Sequence, residues 1–254
     1  MTVEQHSIVN AQHPLPSGSP SPGGEGAGGW GTHMHLARLL HLTDSALPTG
    51  SFAYSYGLES SATFGLLPDS GALRNYLYSF LQQVVSLEFP FLNSCFHLPE
   101  NTQALHDLAA EYDAQLLVPP LHRASLVQAS NWLRLLVSFY PTAGLAELSS
   151  WFAGLPLHFV PAFALSLRRV GFGLDEARTA YLHMALRDQI SAAIRLGVLG
   201  PMEGHRLQHD FYAIFEELLA APTSVSYQEA TRSGFLLEVT QLFHEDIYSK
   251  LFQN

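Results

Sequence analysis

The stretch "LDEARTAYLHMALRDQISAAIRLG", residues 174–197, decides the fold class. Asp175 and Glu176 stand in its first turn, where the positive end of a helix dipole favours carboxylates. Leu182, Leu186, Ile190 and Ala193 recur with the period of a helix and share one face. Gly197 marks the stop, because glycine accepts the left-handed backbone that closes a helix. Ala180, Ala185, Ser191, Ala192 and Ala193 are small enough to admit a close helical neighbour. The next segment, "PMEGHRLQHDFYAIFEELLAA" over 201–221, opens on Pro201, whose missing N–H is no loss in a first turn.

Outward from this pair the same signals repeat. "LPDSGALRNYLYSFLQQVVSLEF" (67–89) offers Asp69 or Ser70 as N-cap, with Leu73, Leu77, Phe80, Leu81 and Val84 at helical spacing. A helix is expected through "TQALHDLAAEYDAQLL" (102–117), and another behind Pro119 and Pro120. Shorter helices are expected over 143–153 and 160–170, and "FLLEVTQLFHEDIYSKLF" (235–252) reads as a last helix or an extended arm. No run alternates with period two and no internal repeat occurs, so the expectation is all-α: one helical bundle of about ten helices over residues 33–254. Residues 14–31, "PLPSGSPSPGGEGAGGWG", bury too little apolar area to offset ordering, which makes residues 1–32 an expected disordered tail.

Composition excludes several functions. A net charge of -10, with Lys250 the single lysine, opposes nucleic-acid binding. One cysteine, Cys95, excludes a disulfide framework or CxxC site and fits a reducing cytoplasm; no basic-then-apolar leader opens the chain. Residues 148–167 are uncharged, yet Pro156, Pro161 and His158 favour two short buried helices over a membrane span.

The chemistry-bearing motifs are incomplete. Lys250 follows no glycine-rich loop, so P-loop nucleotide hydrolysis is excluded, and "HEDIY" at 244–248 lacks the second histidine of a zinc protease. Thirteen histidines raise metal binding, with His33 and His35 or His205 and His209 at usable spacing; water-satisfied surface pairs are the plainer reading. Ser51 and Ser55 have no histidine nearby in sequence and read as turn and cap residues. Gly197, Gly200 and Gly204 imitate a phosphate cradle but lie between helices, with no strand feeding them. Arg195 and Arg206 are available for an interface. Glu59, the single charged residue between Asp44 and Asp69, is either solvent-facing or committed to a backbone or arginine partner.

Three segments in order, "LTDSALPTGSFAYSYGLE" (42–59), "FALSLRRVGFGLDEARTAYL" with "SAAIRLGVLG" and "GHRL" (163–207), and "HEDIYSKLF" (244–252), together resemble the UreF family of urease accessory proteins. The resemblance implies an all-helical, dimeric, non-enzymatic cytoplasmic protein that joins UreD (UreH in some systems) and the GTPase UreG on apo-urease for nickel insertion. It implies no resident cofactor, nickel passing through the assembled complex, and no nucleic-acid or membrane partner. Carried over residue by residue, the partner surface falls on Pro48, Gly50, Phe52, Ser55, Gly57 and Glu59; on Tyr181, Arg195, Gly197, Gly200, Gly204 and Arg206; and on His244, Glu245, Tyr248, Lys250, Leu251 and Phe252. Lys250 stands where the family usually carries arginine. Two alternatives remain beside it: a metal-dependent enzyme at His205 and His209, and a generic helical adaptor.

Overall fold

The structure, a computed structural model, describes residues 32–152 and 154–253. The tail expected over 1–32 lies outside the described residues except at Thr32, where the first helix already begins. The helices are α1 (Thr32–Leu42), α2 (Leu58–Thr63), α3 (Ser70–Gln83), α4 (Phe89–His97), α5 (Gln103–Gln115), α6 (Pro119–Phe139), α7 (Leu148–Trp151), α8 (Phe159–Arg169), α9 (Leu174–Arg195), α10 (Pro201–Leu219) and α11 (Phe235–Leu242). A π-helical turn, Val84–Glu88, joins α3 to α4, so these eleven segments make ten rods; no strand occurs among the described residues.

Helix ends follow local chemistry. The Asp69 carboxylate accepts from the Ala72 N–H at 2.8 Å and caps α3, an arrangement that contributes about 1 kcal/mol. Pro119 with Pro120, and Pro201, occupy the first turns of α6 and α10, where their rings meet no preceding turn. Gly197, at φ +72°, closes α9: its N–H reaches the Ile194 carbonyl at 3.0 Å and the Val198 N–H reaches that of Ala193 at 3.0 Å. The uncharged 148–167 stretch splits into α7 and α8, and Phe159 to Leu167 are all buried. Among the described residues no helix is long and apolar enough to cross a membrane.

Helix α9 runs through the middle and is apolar on more than one side. Ala177, Ala180 and Met184 pack into a cluster with residues of α4, α5, α6 and α8. Leu182, Leu186, Ile190 and Ala193 pack into a second cluster with α3, α10, Leu237 and Phe252. Each leucine or isoleucine so buried contributes roughly 1.5–3 kcal/mol. Helix α10 lies close against α9 through a glycine of its own: a Cβ on Gly204 would lie 2.7 Å from Ile194 Cδ1. The last segment is both helix and arm, with α11, a 3-10 turn over Phe243–Asp246, and irregular, bending chain after Ile247.

Candidate functional site

Between α1 and α2 the chain must turn sharply, and three residues do it in left-handed backbone: Gly50 (φ +94°), Tyr56 (φ +53°) and Gly57 (φ +93°). A side chain at Gly57 is doubly disfavoured, since a Cβ there would sit 2.7 Å from Thr240 Oγ1 and 2.9 Å from Gln241 Cγ of α11. Tyr56, which has a Cβ, is held by its carbonyl, which accepts from the Tyr76 hydroxyl at 3.0 Å and the Gln241 amide at 3.1 Å. This reversal aims the first turn of α2 inward.

Glu59 is the result. Its side chain is 3% exposed and accepts from His244 Nε2 at 2.9 Å, the Leu251 N–H at 2.6 Å and the Phe252 N–H at 3.2 Å. Of the two fates left open by sequence, the carboxylate takes a backbone partner, with a histidine added. These donors replace the hydration that burial removes. The Gln253 N–H closes the join on the Ala53 carbonyl at 2.8 Å. Arg195, the last residue of α9, lays its guanidinium 3.6 Å from the Phe52 ring centre and 4.1 Å from that of Phe252, and donates to the Phe52 carbonyl. One junction thus brings together residues from all three sequence segments.

Its residues divide by depth. Ser55, Gly57, Glu59, His244 and Phe252 are buried and fasten the junction from within. Pro48, Phe52, Glu245, Tyr248, Lys250 and Leu251 are exposed, Tyr248 completely, while Gly50 is half-buried at the first turn. Phe235, Leu236, Leu242 and Phe243, which sequence reasoning did not single out, are exposed on the same terminal segment, with Phe243 edge-on to Phe64 at 6.0 Å. Gly197 and Gly200 are exposed in the α9–α10 turn, Arg206 is exposed on α10, and Gly204 is buried beneath. Tyr181 is not part of this surface; its ring packs on Phe163 at 5.4 Å in the interior.

Tyr181 instead lines a cavity of about 90 Å³ together with Tyr56, Glu88, Tyr112, Gln128 and Arg232. A neighbouring void of about 60 Å³ shares Tyr56, Glu88, Gln128 and Tyr181 and reaches Asp188. Desolvation pushes the Glu88 carboxyl up to about 7, against a hydrogen bond from Tyr181, and raises that of Asp188 against the opposing charge of Arg187. No sequence spacing announces this lining, because it is assembled from many separate elements.

The histidine pairs separate. His205 and His209 lie exposed one turn apart on α10, and neighbouring Asp210 is engaged by Arg74 at 2.9 Å. His35 pairs with Glu176 at 2.8 Å. Among the described residues, the histidine and carboxylate group close enough to hold a metal ion is Asp113, His122 and His158, which lies outside the three segments.

Comparison with known proteins agrees with the assembled pattern. The family model UreF matches residues 67–212. Urease accessory protein F of Oryza sativa subsp. indica is 33% identical over 215 residues, covering 83% of this chain and 82% of its own. That of Arabidopsis thaliana is 31% identical, covering 83% and 89%. Urease accessory protein UreF of Arthrobacter sp. (strain FB24) is 33% identical over 227 residues, covering 85% and 96%.

Proposed function

The chain belongs to the UreF family of urease accessory proteins, and from that premise we propose that it is a scaffold of urease maturation, bridging a UreD/UreH-type protein and the GTPase UreG on apo-urease while nickel is inserted. The observation that carries this reading is the junction itself, where residues of three distant segments are fastened by buried Glu59 and Arg195 beneath exposed Phe52, Tyr248 and Leu251. Large apolar side chains held out of the core over a rigid base suit a protein partner, since such anchors dominate interface energetics. The working unit is a cytoplasmic homodimer, with no resident cofactor and no catalytic chemistry of its own.

Within this role, positioning and conduction are better supported than stimulation of the GTPase by an arginine. Arg195 is clamped between two rings and a carbonyl, whereas a finger must be free to reach a phosphate. Glu88, which lines both voids, gives the interior an acidic oxygen past which a divalent ion can travel as cargo, whereas Asp188 is held by Arg187 at 2.7 Å. An enzyme at His205 and His209 has less support, because Asp210, a candidate third ligand, is committed to Arg74.

The test is capture of the UreD/UreH-type partner by the full chain carrying Tyr248→Ala and Leu251→Ala. Both side chains are exposed, so the melting temperature should hold while each truncation weakens binding by about 1–3 kcal/mol. Undiminished capture by the double variant would remove the junction from the proposed surface.

A further inference from the structure

We propose that Asp113, His122 and His158 form a binding site for one divalent first-row transition-metal ion such as zinc. The site is separate from the partner junction and does not rest on the scaffold reading. Its residues come from three elements: Asp113 near the end of α5, His122 in the first turns of α6, and His158 at the residue preceding α8. His122 Nε2 lies 2.6 Å and His158 Nε2 2.9 Å from the same Asp113 Oδ1. The ligand atoms all fall within 4.8 Å of one another, and the two imidazoles meet edge-on at 4.7 Å. The backbone at His158 is anchored, with the Phe159 N–H on Ser125 Oγ at 3.0 Å and the Ala162 N–H on the His158 carbonyl at 3.0 Å.

Two imidazoles and one carboxylate are the donor set of a three-ligand zinc-type centre with an open fourth position. The His158 side chain is fully buried, while His122 and Asp113 are about a third exposed, so the group has a closed back and a mouth through which an ion can enter. His158 Nδ1 has no hydrogen-bond partner. Ligation through Nε2 exchanges the bond to Asp113 for the bond to the metal and puts the ring proton on Nδ1, where no protein acceptor meets it and a water must take its place. Tetrahedral coordination at about 2.0 Å sets ligand atoms roughly 3.3 Å apart, so both contacts to Asp113 need open by less than about 1 Å. The part-exposed His122 ring is the natural one to give way. A three-way hydrogen bond and nothing more is the competing account.

The deciding experiment is titration of the chelator-stripped full chain with zinc by calorimetry, and with cobalt by visible absorption. One tight ion per chain with tetrahedral cobalt bands is expected. In His122→Gln and Asp113→Asn, whose far-ultraviolet dichroism should be unchanged, affinity should fall more than about 100-fold, beyond the loss typical of an outer-shell partner. A His205→Gln/His209→Gln chain should retain the ion. The proposal is overturned if the stripped protein takes up no ion, if His122→Gln binds as tightly as the parent, or if the α10 pair proves to be the site. His122 is peripheral enough that its variant decides the matter even where His158→Gln fails to fold.

Discussion

The terminal junction and the central cavity each enclose a glutamate, and they meet it with different numbers of donors. Glu59 receives an imidazole and two backbone N–H groups, all between 2.6 and 3.2 Å. Glu88 lines a void, has the Tyr181 hydroxyl against it, and burial pushes its carboxyl up to about 7. The same functional group is a three-donor fastening in one place and a sparsely partnered wall of a void in the other. Supply of donors, more than depth, makes the difference, because a buried carboxylate is tolerated in proportion to the hydration that protein groups replace.

The largest expected effect breaks the fastening. Glu59→Ala leaves His244 and the N–H groups of Leu251 and Phe252 without their acceptor, and should cost about 3 kcal/mol, read as a lowered melting temperature and fast amide exchange at 251 and 252. Unchanged exchange there would show that the donors do not hold the junction. Next, Gly57→Ala forces a Cβ at φ +93° against Thr240 and Gln241, and about 2 kcal/mol should be lost in denaturant unfolding with no change in partner-facing side chains. A neutral result would mean that α11 moves freely over this turn.

The smallest effect concerns the cavity and has the opposite sign. The folded-state pKa of Glu88, about 7, lies above its ordinary 4.5. Its contribution is therefore fully present below about 4.5 and lost as pH rises through about 7, where the folded protein must carry the charge. Glu88→Gln should remove that slope from the stability-versus-pH curve and gain about 1 kcal/mol at pH 8, a fraction of the roughly 3 kcal/mol to which the net shift converts, because water admitted to the void at high pH solvates part of the charge. Parallel curves for the two proteins across that window would erase the contrast between the two glutamates.

Helices were legible because their signals are local. Apolar spacing placed α3, α5, α6, α9 and α10, while Asp69, Pro119, Pro201 and Gly197 marked ends that the structure keeps. Local signals carried the helix from α3 only as far as Phe89, and revealed neither its π-helical turn at Val84–Glu88 nor its continuation as α4 to His97. Tyr56 was also missed as a left-handed residue, because nothing about tyrosine suggests that backbone; Tyr76 and Gln241 impose it from outside.

The sequence by itself determined an all-helical chain, the order of its main helices, and three segments bearing a family's pattern, since each depends on residues within a few turns of one another. Tertiary structure alone decided which motif residues are fastenings and which are surface, because Glu59 finds His244 and Leu251 across separations of 185 and 192 residues. It likewise decided the metal-ligand group, in which His158 joins Asp113 from 45 residues away. Burial and the direction of a donor are properties of the folded path, and no periodicity along the chain encodes them.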